Sequence, residues 1–433
     1  MKKKVLSALL VASMTATLFA GCGDKTEGNK PADGKEPAGT ESGTTPETEG
    51  TVDYGEGTLT IWVAENAVEF TKEQVDAFLK ENAPGYTATV EAVSEADAAG
   101  NMITDVEGGA DLFSFAQDQL ARLVAAGAAQ PVIDTYSSWI AENNDEGSVA
   151  AVKSGDMTYA FPMTSDNGYF LFYDKSVVTN PDSLEDILAD CEKAGKNFYM
   201  EINQGWYLPS FFFGTGCVGE YETDVDGNFT KCTMDFASDK GLVAFKEVIE
   251  LAESKAFQNG SSSDDATNYA AIVTGTWNAA SIKKEFGDNY ACAKLPKFKG
   301  ADDQEYQMSG FKGYKMLGIK PQTEEGKLAL CFKLAQYLTD AERQVARYEK
   351  VGWGPSNLEA QGNEAVQADV ALTALRDQFE FSIPQGQYPN DYWTYCTSFV
   401  DTIISGDISS KNSDDDLMKK LQEFQDTCMG YAK

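Results

Sequence analysis

The chain has 433 residues, with 35 Lys plus Arg against 68 Asp plus Glu and a formal net charge of −33. It contains no histidine, which excludes Ser-His-Asp and Cys-His catalysis, histidine-ligated zinc or haem, and histidine pH switching. The acidity argues against nucleic acid as a partner, because phosphate recognition needs clustered Lys and Arg, and the length suits two or more lobes. In chain order, Lys2, Lys3 and Lys4 come first, followed by an apolar run over 5–19. That run is too short to remain as a membrane-spanning helix and fits the apolar part of a signal peptide.

The next residues are Phe19-Ala20-Gly21-Cys22. Small residues in the two places before a cysteine resemble the processing site of bacterial lipoproteins. The resemblance implies a signal peptide over 1–21 and a lipid-modified Cys22 at the mature N-terminus. The alternative is an ordinary secretory signal followed by a chance cysteine. Residues 22–57 hold no aromatic before Tyr54 and no large aliphatic before Val52. Such a segment buries too little apolar surface to offset its ordering entropy, which predicts a disordered tether with a reach of roughly 30 Å. An anchor, a tether and a folded body place the protein outside the cytoplasm, on the outer face of the membrane or in a periplasm.

The body opens with β-α alternation. Residues 58–63 (Thr-Leu-Thr-Ile-Trp-Val) read as a strand. Thr71 to Gln74 matches a T-x-x-Q capping box and predicts a helix start, with Val75, Phe78 and Leu79 on one face. Strands are predicted at 86–93 and 110–115 and helices at 97–106 and 119–126, each helix ending at Gly108-Gly109 or Gly127. Strands separated by helices at this spacing predict a parallel sheet with crossover connections. Neither G-x-G-x-x-G nor G-x-x-x-x-G-K-[ST] occurs, so nucleotide binding has no support. Further on, strands are predicted at 169–173, 198–202 and 270–274. Helices are predicted at 181–191, 208–213, 238–254, 325–338, from 340, at 393–404 and at 413–429.

Beyond Cys22 there are seven cysteines, an odd number with no C-x-x-C. Cys217 and Cys232 flank the Asp226-Gly227 turn signal, which leaves a cross-strand disulfide or two buried free thiols. Asp224 to Asn228 looks like part of a calcium loop, but the sixth and twelfth loop positions are Phe229 and Asp235 instead of Gly and Glu, so it reads as a turn. Asp414-Asp415-Asp416 reads as an acidic helix N-terminus. No metal or cofactor is expected.

Several segments, taken in order, resemble solute-binding proteins of the maltose and maltodextrin type, which serve ATP-binding-cassette (ABC) sugar importers. They are Thr60-Ile61-Trp62, the strand and turn Ala110 to Asp118, Tyr159 to Met163, Leu171 to Lys175, Thr274-Gly275-Thr276-Trp277, Leu295 to Gly300, the helix ending before Asp340, and Trp393. The resemblance implies an α/β fold of two lobes, a class II periplasmic-binding-protein fold with a hinge and an interlobe ligand cleft. Lobe 1 would take 58–165 plus 313–361 and lobe 2 would take 166–312 plus 362–433. The chain would cross between them near Asn167, near Gly310 to Gly313 and after Pro355.

A sugar ring presents C–H faces to flat aromatic platforms and rim hydroxyls to bidentate polar groups. By resemblance, Trp277 and Trp393 are stacking platforms and Trp206 a third. Glu65, Asn66, Gln117, Asp118 and Asn167 are the polar candidates, with Lys72 as a possible basic group. Asp118 could instead cap the following helix. Trp62 reads as core, and Trp353 lies at the cleft mouth or packs at the third crossing. The implied function is a lipid-anchored, non-enzymatic importer subunit. It would bind a malto-oligosaccharide or related oligosaccharide by hinge closure and deliver it to ABC permease subunits. Alternatives are a binder of a different oligosaccharide and a surface glycoside hydrolase, which would need two carboxylates facing each other across the cleft.

Overall fold

A computed structural model describes residues 54–433. The predicted signal peptide, Cys22 and most of the predicted tether lie outside the described residues.

Strands β1 (Gly57–Val63), β2 (Tyr86–Ala92) and β3 (Leu112–Ala116) alternate with helices α1 (Val68–Asn82), α2 (Ala98–Thr104) and α3 (Leu120–Ala125). β1 lies between β2 and β3 and is parallel to both, with Ile61 opposite Val90 and Leu112. Leu59, Ile61 and Val63 point into the core and the residues between them point out, which is the two-residue period of a strand. Trp62 is part-buried: it packs against the first lobe's core from the sheet's flank and donates from Nε1 to Glu91 at 2.9 Å.

α1 starts earlier than the capping box implied. It begins at Val68, and Thr71 is buried inside its first turn. A 3-10 turn at Glu65–Ala67 leads into the helix, and its tight bonds serve the N–H groups that a cap would otherwise take. Lys72 is exposed on this helix and pairs with Asp76 at 2.6 Å, away from any cleft.

The first sheet is mixed rather than purely parallel. The strand Phe311–Ile319 runs antiparallel to β3 on one side and to Ala160–Asn167 on the other, with Leu317 opposite both Ser114 and Phe161. The reason is topological. This strand enters from the second lobe instead of arriving over a crossover helix, so nothing imposes parallel pairing. The second sheet has the order 257–258, 197–199, 269–274, 170–174, 290–293. Its central strand Tyr269–Thr274 is buried throughout, with Ala271 and Val273 in one apolar core and Ile272 in another. Such a strand reads as a continuous apolar run, as this one does.

Each sheet therefore has its own core. Leu59, Phe113, Phe161, Leu317 and Trp353 share one. Leu171, Phe211, Phe245, Tyr388 and Phe424 share another. The chain passes between the lobes at three places. Ala160–Asn167 leads into Phe170–Asp174, Phe311–Ile319 returns, and the segment after Ala341–Val351 leaves again. There Gly352 ends the helix at φ 81°, a left-handed conformation that glycine adopts without steric cost. The helix Val370–Phe379 then covers the second sheet through Leu372 and Leu375.

The Asp226-Gly227 signal forms the turn of a hairpin, Gly219–Thr223 with Phe229–Met234. Cys232 sits opposite Tyr221, and Cys217 precedes the first strand beside Thr215 and Ser238. Both cysteines are buried free thiols. The Asp224 carboxylate accepts from the Asp226 and Asn228 N–H groups, which is turn chemistry. Asp414–Met429 is a helix with Ser413 as its cap.

Candidate functional site: the cleft between the lobes

Three strands reach the cleft through the same local device. β1 passes into the 3-10 turn Glu65–Ala67, β3 into Gln117–Gln119, and Tyr269–Thr274 into Thr276–Asn278. A helix follows each turn. The turn carbonyls of Glu65, Gln117 and Thr276 accept from the first helical N–H in each case, so side chains in the turn are not spent on capping. The cleft therefore lies at the C-terminal ends of strands, where open α/β sheets bind ligands.

The cleft holds about 660 Å³. Asn66, Asp118, Asn167, Trp206, Trp277 and Trp393 line it, and Glu65 and Gln117 do not. Glu65 is exposed beyond the rim. Gln117 is buried behind it, and its main-chain oxygen accepts from Gln387. Asp118 does not cap α3; its carboxyl is buried at the cleft wall.

The aromatic lining is held from behind. Trp206 stacks on Phe311 at 5.2 Å and meets the edge of Tyr169 at 5.7 Å. Trp393 packs against Tyr388 and Tyr392 at 5.1 and 5.0 Å. A Cβ on Gly205 would lie 2.9 Å from both Trp393 and Tyr392. The Trp277 ring folds over Gly275, where a Cβ would come within 2.1 Å of it. In Thr274-Gly275-Thr276-Trp277 the glycine is thus required by close approach of the ring. Trp353 is almost wholly buried in the first lobe's core and also reaches the cleft.

Several lining residues lay outside sequence reasoning: Glu95, Arg122, Glu201, Lys315 and Gln385. Most sit in loops with no motif. Lys315 does carry a signal, being a lysine within the apolar strand Phe311–Ile319, and it is 4 % exposed. Its Nζ lies 4.1 Å from the Trp353 ring centre, 5.5 Å from that of Trp277 and 3.9 Å from Asp166 Oδ1. Asp166 is fully buried, and its Oδ2 accepts from Thr276 Oγ1 at 2.8 Å and Gly354 N–H at 2.7 Å. One carboxylate thereby ties the first crossing to the third and to the second lobe.

Burial pushes the Asp118 carboxyl up to about 7, with Arg122 and a hydrogen bond to Gln385 pulling the other way. Its folded value lies above its unfolded one, so the folded state holds the proton more tightly. The stability it supports is full below the unfolded value and is lost as pH rises toward 7 and above. Asp118→Asn is expected to flatten this trend. Melting temperatures of the ligand-free protein at pH 5 and pH 8 check it, and an equal pH 5-to-8 drop in both proteins would refute it.

Buried polar atoms at the wall add to the picture. Gln119 Oε1, Gln385 Oε1 and Trp353 Nε1 have no hydrogen-bond partner. Unsatisfied buried groups are costly, and a ligand carrying hydroxyl groups could pair with them.

Residues 73–374 match the family of bacterial extracellular solute-binding proteins. The chain belongs to that family. The family is named for binding solutes outside the cytoplasm, and the two-lobed α/β cleft just described suits such a protein. A galactooligosaccharide-binding protein of Bacillus subtilis (strain 168) is 24 % identical over 286 residues, 61 % of this chain. In that match the solute-binding chain spans 63 % of the relative's length. A structure solved with acarbose covers 88 % of this chain and 100 % of its own at 24 % identity and a TM-score of 0.76. A maltodextrin-binding protein of L. casei BL23, solved without ligand, covers the same shares at 22 % identity and a TM-score of 0.71. These likenesses are of fold, and they agree with two α/β lobes of the periplasmic-binding type.

Proposed function

We propose that this solute-binding protein captures an oligosaccharide between its lobes and delivers it to the permease of an ABC importer, without chemical change. In this reading 58–165 plus 313–361 close against 166–312 plus 362–433, and Cys22 carries a lipid that holds the protein at the outer membrane face or in a periplasm. The observation that carries the reading is the pairing of Trp206, Trp277 and Trp393 with unpartnered amide oxygens around one cleft. Aromatic faces match sugar C–H surfaces, and fixed amides and carboxyls match hydroxyls. The names of the relatives and fold neighbours, which mention galactooligosaccharide, maltodextrin and acarbose, support a saccharide over an amino acid or an ion.

The test is a tryptophan-fluorescence titration with maltotriose, followed by a long incubation and product analysis. Saturable change with maltotriose intact is the expected result, with a Kd in the micromolar range or below, about −8 kcal/mol or better. No response to maltotriose, together with a response to a galacto-oligosaccharide, would reassign the sugar. No response to either would reject the saccharide reading. Appearance of glucose or maltose would make the protein a hydrolase.

A further inference from the structure

The hairpin Gly219–Thr223 with Phe229–Met234 belongs to the second lobe at its base. Tyr221 Oη donates to Cys428 O at 2.8 Å, Tyr388 Oη to Gly219 O at 2.5 Å, and Lys433 N–H to Phe229 O at 3.0 Å. Its turn, however, rests on the first lobe. Ser154 Oγ donates to Val225 O at 3.2 Å. Gly227, at φ 83°, lies so close to α3 that a Cβ there would stand 2.0 Å from Ala121 O and 3.1 Å from Ala125 N. The Asp224 carboxylate stiffens this tip by accepting from two turn N–H groups.

A second grip lies on the same first-lobe segment. Gln387, beside Tyr388 of the second lobe's core, donates from Nε2 to Gln117 O and accepts at Oε1 from Ala121 N–H, both at 2.8 Å. The gripped stretch, 117–125, carries Asp118, Gln119 and Arg122 into the cleft. The grip uses main-chain groups on that side and so occupies none of these three side chains. Opening the cleft here must break both Gln387 bonds and lift the turn off α3.

We propose that the Asp224–Asn228 turn and Gln387 form an interlobe clasp on residues 117–125 that resists opening of the cleft and slows ligand release. Gln387 is a positioning residue, acting through the segment that bears Asp118 and Gln119. The effect on release rests on the saccharide reading above, whereas the restraint on opening does not.

The test uses Gln387→Ala, which removes both bonds, and Gly227→Ala, whose new Cβ collides with Ala121 O. Stopped-flow fluorescence with maltotriose gives association and dissociation rates, and small-angle X-ray scattering gives the radius of gyration of the ligand-free protein. Two hydrogen bonds of ordinary net strength correspond to roughly tenfold in rate. The expected result for Gln387→Ala is dissociation about ten times faster, association within twofold of wild type, and a larger ligand-free radius. A residue that merely supported the fold would lower the melting temperature without this split between rates. If Gly227→Ala does not fold, Gln387→Ala decides alone. Wild-type radius together with wild-type dissociation in Gln387→Ala overturns the clasp and leaves the saccharide reading standing. A larger radius with no binding of maltotriose or galacto-oligosaccharide in any form overturns the saccharide reading and upholds the clasp.

Discussion

Trp277→Ala is expected to weaken oligosaccharide binding roughly thirtyfold, a loss of about 2 kcal/mol, with little change in melting temperature. Trp277 is part-exposed in the middle of a 3-10 turn and belongs to no core cluster, so its removal leaves no void in either lobe's core. What is lost is a flat apolar face lining the cleft and one of the two rings near the Lys315 ammonium. Trp277→Phe should recover part of the loss because a smaller platform remains. Gly275→Ala should resemble Trp277→Ala in binding, since the methyl group must push the ring out of place. Fluorescence titration of the three variants is the check. Affinities within twofold of wild type for Trp277→Ala would remove this ring from the site.

Asp166→Ala is expected to destabilise the fold by about 3–5 kcal/mol, because it strands the Lys315 charge in a buried position. The carboxylate is fully buried and Lys315 nearly so. The substitution also frees Thr276 Oγ1 and Gly354 N–H from their shared acceptor, which loosens the joint between the lobes. Replacing both charges, as in Asp166→Ala with Lys315→Met, should recover most of the loss, since neither charge then remains unpaired. Urea denaturation at pH 7 separates these outcomes. A loss below 1 kcal/mol in the single variant would mean that water reaches the Lys315 ammonium and that the pair does not hold the joint.

Much of the architecture was legible in local pattern. The alternation of Leu59, Ile61 and Val63 marks a strand, and the spacing of Val75, Phe78 and Leu79 marks a helix face, because side-chain direction repeats every 2 or 3.6 residues. The predicted helix over 325–338 is the observed Glu325–Leu338. The strand Phe311–Ile319 was not predicted, and its antiparallel entry was not legible, since strand direction depends on which lobe the chain comes from.

The cleft was legible to within one residue in two places. Glu65-Asn66 and Gln117-Asp118 both follow strand ends, and in each pair the second member lines the cleft. Successive residues of a 3-10 turn point about 120° apart, so a pattern that locates the turn does not say which neighbour faces the ligand. Lys315 and Gln385 depend on partners far away in the chain. Asp166 and Gly354 are 188 residues apart, and Asp166 and Thr276 are 110 apart.

By itself, then, the sequence left the strands Ala160–Asn167, Tyr290–Ala293 and Phe311–Ile319 and the helix Val370–Phe379 unmarked. It determined the family of the body, the opening alternation of strands and helices and several later elements, and the strand ends from which a cleft would be built. Those properties come from short-range periodicity and steric turn preferences, which any stretch of ten residues carries. Only the tertiary structure decided the orientation within each turn, the Asp166–Lys315 pair beneath the cleft and the grip of Gln387 on 117–125. These arise where two separately cored lobes meet, and the energy of a buried charge or an interlobe hydrogen bond exists only once both surfaces are in place.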